Sequence, residues 1–415
     1  MTVEIRTPAE DEFAHWLRTV GVGFHNAKRL SDEKVGLRRE QWRLEELQGA
    51  FDGDQCVATF RRFPQLLTVP GGVRLGASAI SAVTVRPTHR RRGLLSRMMT
   101  NELHDARERG DALATLIASE YPIYGRFGFG PAAWHHDYEV EVHRTGLPAT
   151  SGQPEDGGRL EQVELSQVRE IGPELHDRVA RLPQAQGTVS RDAAFWSKVT
   201  GEHEGRDEPF TPRFYVVYRD EHGTPQGLVS HTSEHDWADD VPRHTLRVLD
   251  LFGTSPRAEA ALWRYLMSVD WVSTVRAQRR PVDDLLPLLV PDSRSVHVRG
   301  RADFLWLRPL DVPAMLEARG YERPGSLVLR VVDPAGLAEG TFRLEADTDG
   351  ARCTATGREP ELTLGVGELA SLYLGGESAA RLGAVGRVDE ERAGALVSAD
   401  GLFGTSRQPW CQDVF

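Results

Sequence analysis

Thirteen consecutive residues carry the chemistry most open to reading: Val83-Thr84-Val85-Arg86-Pro87-Thr88-His89-Arg90-Arg91-Arg92-Gly93-Leu94-Leu95. An apolar strand runs into a turn with three arginines in a row, and an amphipathic helix begins at the glycine. The first N–H groups of a helix lack partners and sit at the positive end of its dipole, so this junction suits a pyrophosphate. Gly93 removes the Cβ where a ligand would near the backbone, and Arg91 or Arg92 can add charge-assisted contacts. A solvated basic turn is the plainer alternative, but proline, three arginines and glycine at a helix start favour a ligand site. The chain ends Pro409-Trp410-Cys411-Gln412-Asp413-Val414-Phe415, an aromatic terminus without a polar tail, which points to docking rather than fraying. Asp413 is two residues from that end, so within about 7 Å along the chain. Other chemistries find less support. His135, His136, His231 and His235 lack metal spacing, and no GxSxG elbow exists. Cys56, Cys353 and Cys411 are odd in number and far apart, so no disulfide framework or zinc site is expected and a reducing cytoplasm fits.

The elements that position this turn follow from hydrophobic period and punctuation. Thr7-Pro8-Ala9-Glu10 reads as a capping box, with Phe13, Trp16, Leu17 and Val20 at helical spacing behind it. A helix-prone stretch covers 31–47. Strands are predicted at 56–60, at 66–69 and 73–75 around Pro70-Gly71-Gly72, and at 77–85. The helix over 94–109 places Leu95, Met98, Met99, Leu103 and Ala106 on one face and stops at Gly110, before a buried strand at 112–118. This is a mixed α/β layer with a ligand site at the strand–helix junction. After a linker rich in Gly, Pro, Ser and Thr at 145–158 the order repeats: strands at 214–218, 227–230 and 247–252, a helix over 257–269, a strand at 273–277. There the corresponding turn, Phe252-Gly253-Thr254-Ser255-Pro256-Arg257, lacks the triple arginine, so this copy is expected to be structural and to bind no cofactor. A third segment begins near Gly300, with strands at 304–307 and 327–332, a hairpin of 341–346 with 353–355, and helices over 312–319 and 366–374.

Read as Arg90-x-x-Gly93-x-Leu95, the turn resembles the R/Q-x-x-G-x-G/A acetyl-CoA signature of GCN5-related N-acetyltransferases (GNATs), with Leu95 in place of the usual small residue. The longer run 85–95 is similar to the enhanced intracellular survival (Eis) family of multi-acetylating aminoglycoside N-acetyltransferases. Ala118-Ser119-Glu120 ahead of Ile123-Tyr124-Gly125-Arg126-Phe127-Gly128-Phe129-Gly130-Pro131, and the terminal 409–415, agree with that family, so the resemblance spans the whole chain. It implies two tandem GNAT-like mixed-sheet domains and a sterol-carrier-like α+β domain, taken as residues 1–148, 159–298 and 299–415. It implies that Val83, Thr84 and Val85 present backbone groups to the pantetheine arm and thioester of acetyl-CoA. By the same resemblance Arg91, Arg92, Gly93, Leu94, Leu95 and Ser96 hold the pyrophosphate, and Ser119 and Glu120 line the groove. Tyr124 then donates a proton to the leaving thiolate, for which a phenol of pKa about 10 is a plausible acid. The carboxylate of Phe415 is the second catalytic group. With a reference pKa of about 3.5 it is a poor base, yet it can orient the amine and relay its proton through water. Asp413 would then help bind a cationic substrate. A homohexamer is implied as well.

Composition bounds these expectations. A chain of 415 residues calls for two or three domains, and 40% hydrophobic with 27% charged residues is the balance of a globular protein. A formal charge of −11 argues against nonspecific nucleic-acid binding and is compatible with a cationic, polyamine-type substrate. No run of about 18 apolar residues predicts a membrane span, and Met1-Thr2-Val3-Glu4-Ile5-Arg6 does not read as a signal peptide. The expectation is a cytoplasmic, metal-free enzyme that moves acetyl from acetyl-CoA to primary amines of aminoglycosides. Acetylation of protein lysines or polyamines is the rival within enzymes, and a lipid carrier or scaffold is the rival outside them.

Overall fold

The computed structural model describes residues 3–148, 152, 154, 156–202 and 210–415, arranged largely around three sheets. The first sheet has the strand order Glu4–Arg6, Leu47–Asp52, Gln55–Thr68, Arg74–Val85, Leu113–Ile117, Leu305–Pro309, Gly130–Pro131. Its first four strands are an antiparallel meander. Arg74–Val85 and Leu113–Ile117 are parallel, and the helix Leu94–Glu108 crosses between them. That helix buries Leu94, Met98, Met99, Leu103 and Ala106 at three- and four-residue spacing, each such Leu or Met contributing about 1.5–3 kcal/mol. Leu95 is half-buried beside them. The N-terminal helix starts later than its sequence suggests. Arg6 holds the Glu12 carboxylate at 2.6 and 2.7 Å and the Ala9 amide donates to it at 2.7 Å. The cap is therefore Ala9 with Glu12, a 3₁₀ turn covers Glu10–Glu12, and the helix runs Phe13–Gly23.

The second sheet repeats the plan in the order Val296–Asp303, Trp134–Glu141, Val272–Arg280, His244–Gly253, Pro225–Glu234, Phe214–Arg219, Arg159–Gln162. His244–Gly253 and Val272–Arg280 are its parallel pair, spanned by the helix Pro256–Ser268. Two strands cross the expected borders. Trp134–Glu141, assigned to the first domain by a border at 148, pairs with Val272–Arg280 in the second sheet. Leu305–Pro309, assigned to the third by a border at 298, pairs with Leu113–Ile117 in the first. A strand's local pattern states that it is buried, not which edge it joins. Of the expected linker 145–158, residues 149–151, 153 and 155 lie outside the described residues.

The third sheet, ordered Ala351–Ala355, Gly340–Ala346, Gly325–Val332, Leu362–Gly365, Val388–Glu390, carries the helices Val312–Ala318, Val366–Tyr373, Ala379–Ala384 and Ala395–Phe403. One apolar cluster joins it to the underside of the first sheet, uniting Leu67, Leu113, Leu305 and Leu307 with Leu327, Leu369 and Phe403. Arg308 is fully buried in that joint. It donates to both Asp333 oxygens at 2.9 and 2.7 Å and to the Phe127 carbonyl at 2.6 Å. The three cysteines are buried and free. Among the described residues no helix is long and apolar enough to cross a membrane.

Candidate active site

The first sheet opens where its parallel ladder stops. Arg74–Val85 and Leu113–Ile117 are paired only as far as Ile80 with Leu116. On its other edge Arg74–Val85 stays paired with Gln55–Thr68 out to Val85 with Ala58, with one extra residue between Ser81 and Thr84. Ala82 has φ +49° there, and the Thr59 hydroxyl bonds the Ala82 carbonyl at 2.8 Å and the Thr84 hydroxyl at 2.7 Å. A bulge of this kind bends its strand, here at the point where the parallel partner is left behind. Val83, Thr84 and Val85 lie beyond the parallel ladder, at the opening. Ser119 and Glu120, both exposed, follow the strand on the far side.

The basic turn closes one end of the opening. A 3₁₀ turn, Pro87–His89, leads to Arg91 at φ +64° and Gly93 at φ +74°, and the helix starts at Leu94 without any side-chain cap. The first helical bond runs from the Arg97 amide to the Gly93 carbonyl at 3.0 Å, leaving the amides of Leu94, Leu95 and Ser96 at the helix start. Left-handed residues in such a turn gather backbone N–H groups into an anion-binding concavity. A Cβ on Gly93 would meet nothing within 4 Å, so glycine is needed here for the backbone angle, not for packing within the chain. Arg91 and Arg92 are exposed. Arg90 reaches to 3.8 Å from Glu120, so the turn and the end of the neighbouring strand face each other across the opening.

Tyr124 closes the short helix Tyr121–Tyr124 on the same side. Its ring is 7% exposed and packs edge-on against Phe129 at 6.2 Å, within the cluster of Leu94, Met98, Leu116 and Trp306. Burial, and secondarily the Glu120 carboxylate, raises the phenol above its ordinary pKa of 10. Its hydroxyl has no hydrogen-bond partner among the described residues. The segment behind it is fixed by the Arg308 bond to Phe127 and by Gly128 at φ +83°, where a Cβ would come 2.6 Å from the Arg308 Nε.

The chain end arrives from the opposite face of the sheet. Phe415 packs edge-on against Phe63 at 6.0 Å and against the joint between the first and third sheets. Phe63 is paired with Ala79, and Ala79 with Thr115, one row short of the last parallel pair. The aromatic terminus is therefore docked beside the opening. Among the described residues its carboxylate has no ion pair. Asp413 is used differently from the expectation that it faces a cationic substrate. Both of its oxygens accept from Arg191, at 2.9 and 2.8 Å, and Arg191 also donates to Asp250 at 2.7 and 3.2 Å. Burial alone would lower the Arg191 pKa, but the two carboxylates reverse this and raise it, so the guanidinium stays charged. A cavity of about 150 Å³ beside this ion pair is lined by Phe195, Trp196, Tyr215 and Val414 among others.

The structure thus gathers Val83–Val85, the Arg91–Ser96 turn, Glu120 and Tyr124 around one opening, with Phe415 docked nearby, and gives Asp413 an anchoring partner. Sequence reasoning missed Thr59 and the Ala82 bulge, and it missed Arg191 and Asp250. Isolated residues in an irregular segment and on a strand give no local signal of such partners.

Two mixed sheets built alike, one opening over a basic helix start, are the frame of a GNAT-type acetyltransferase. Residues 4–132 and 187–309 match acetyltransferase (GNAT) domain families, and residues 312–412 match a sterol carrier protein domain family. The chain is 52% identical over 418 aligned positions to an "uncharacterized N-acetyltransferase" of Streptomyces griseus, covering all of both chains. It is 33% identical over 369 positions to N-acetyltransferase Eis of Mycobacterium tuberculosis, covering 86% of this chain and 85% of that one. The crystal structure of Eis1 from Mycobacterium abscessus superposes with a TM-score of 0.85 at 30% identity, covering 99% of this chain and 100% of that one. The chain is an N-acetyltransferase. It belongs to the Eis family.

Proposed function

We propose that this enzyme transfers acetyl from acetyl-CoA to primary amines of aminoglycosides by direct attack within a ternary complex. The observation that carries the reading is the opening itself: strands parting after Ile80 and Leu116, over a helix start whose glycine has open space above it. A pantetheine arm is an extended chain with two amides, which suits backbone groups at Val83–Val85. The diphosphate suits the amides of Leu94, Leu95 and Ser96 with Arg91 and Arg92. Acetyl-CoA supplies the activated acyl group. The chain's residues then have two tasks. Tyr124, kept neutral by burial, hands its proton to the departing sulfur. The Phe415 carboxylate orients the amine and passes on the proton that the nitrogen loses as the new C–N bond forms. The C–S bond breaks in the same exchange, and the proton released by the nitrogen returns through water to the Tyr124 oxygen, so charge and protons balance.

The aminoglycoside class is supported by the resemblance of the motifs and by the net charge of −11. The test is thiol release from acetyl-CoA, followed by mass spectrometry of the acceptors, with aminoglycosides, linear polyamines and lysine peptides side by side. Turnover on aminoglycosides with acetyl groups added to them is the expected result. Turnover confined to peptides or polyamines would refute the acceptor class, and no thiol release with any amine would refute the acetyl-CoA reading.

A further inference from the structure

The second sheet has the same kind of opening as the first, and the chain itself fills it. His244–Gly253 and Val272–Arg280 stay in parallel register only to Val248 with Ala277. Beyond that point Arg280, 1% exposed, donates to the Leu251 carbonyl at 2.6 Å and to Asp284 at 2.9 Å. Its guanidinium lies 4.6 Å from the ring centre of Trp410. The Trp410 indole donates to the Arg279 carbonyl at 2.7 Å, and the Gln412 amide to the Leu249 carbonyl at 3.2 Å. Gly187, at φ +95°, lets the tail pass, since a Cβ there would come 2.7 Å from the Trp410 carbonyl oxygen. Where the first sheet leaves room for a ligand, the second takes up the C-terminal tail. The strap ends at Arg191, which ties Asp413 to Asp250 from a site walled by the Phe195 ring at 4.4 Å.

Only two residues separate Asp413 from the chain end, so the clamp restricts the terminal carboxylate to within about 7 Å of the Asp413 backbone. The segment just before Arg191 is itself bonded to the first sheet, with the Thr68 amide donating to Thr188 and the Gly187 amide to Thr68, each at 2.9 Å. One guanidinium thus relates the chain end to both sheets. We propose that the second domain serves the reaction by holding the C-terminus, and that Arg191 is the positioning residue that sets the place of the Phe415 carboxylate. This rests on the reading that the carboxylate takes part in acetyl transfer.

The experiment places Arg191→Lys and Asp413→Asn each in two full-length backgrounds, one ending at Phe415 and one extended by several residues. It reads kcat, amine KM, acetyl-CoA affinity and Tm. Misplacing a reacting group by about 1 Å costs roughly a hundredfold in rate. In the native background kcat is expected to fall between about ten- and a hundredfold, with acetyl-CoA affinity unchanged. In the extended background, already slow, neither substitution should slow it further, because both act through one group. Equal loss in both backgrounds, or normal kcat with only a lower Tm, would overturn the positioning role and leave Arg191 a packing residue. An extension that itself leaves kcat unchanged would overturn the carboxylate reading, and the positioning role with it. Asp413→Asn retains the side chain's shape and carries the test should Arg191→Lys not fold.

Discussion

Gly93 is the residue at which the cofactor turn is most exposed to a small perturbation. It sits at φ +74°, and a Cβ there meets no protein atom within 4 Å. Gly93→Ala therefore adds no clash within the chain, only the cost of holding an L-residue in the left-handed region, about 1–2 kcal/mol. The turn is exposed, and among the described residues its arginines are anchored only by the Arg92 bond to the Thr88 carbonyl at 3.3 Å and by the Arg90–Glu120 contact. In the free enzyme it can relax and shed most of that cost. Binding acetyl-CoA would restore the angle, so the cost appears in affinity: 1–2 kcal/mol corresponds to a fivefold to thirtyfold weaker Kd, roughly. Calorimetric titration of acetyl-CoA into wild type and Gly93→Ala, with Tm measured on each, checks this. An acetyl-CoA Kd within about twofold of wild type would refute the placement of the pyrophosphate at this helix start.

Tyr124→Phe removes one hydroxyl from a ring held by packing, so acetyl-CoA affinity should be kept while kcat falls, on the order of a hundred- to ten-thousandfold. Near-normal turnover at saturating amine would leave Tyr124 a packing residue. Because burial raises its pKa, the proton-bearing form persists to higher pH, and kcat should hold through the neutral and mildly alkaline range and decline only above about pH 10. A decline centred near neutrality would assign the acid to another group. Asp333→Ala would strand the fully buried Arg308 and is expected to cost about 3–5 kcal/mol in chemical denaturation, loosening the Phe127–Gly128 segment behind Tyr124. A loss below about 1 kcal/mol would show that Arg308 finds other partners.

Much of the fold is written locally. The helix Leu94–Glu108 follows from its apolar spacing, the hairpin at Pro70-Gly71-Gly72 from its turn residues, and the repeat of meander, strand, helix and strand from punctuation alone. The basic turn was legible too, since proline, arginines and glycine act within a few residues. Sheet membership was not. Trp134–Glu141 joins the second sheet and Leu305–Pro309 the first, because pairing is decided by tertiary contacts that no local period encodes. Asp413 shows the same limit at a single residue. Its place near the chain end was plain, but its partner Arg191 lies 222 positions away, so a carboxylate that looked available for substrate is held in an internal ion pair.

The proposed mechanism requires the chain's own terminus in the reaction, and kcat/KM for an aminoglycoside is the quantity to compare between native protein, protein extended before Met1 and protein extended after Phe415, in identical salt. An extension after Phe415 replaces the terminal carboxylate with a neutral peptide bond and moves the charge away from the opening. A sharp loss of transfer is expected in that form alone, with acetyl-CoA binding retained. Equal activity in all three forms would contradict it and leave another group, or bulk water, to take the amine's proton.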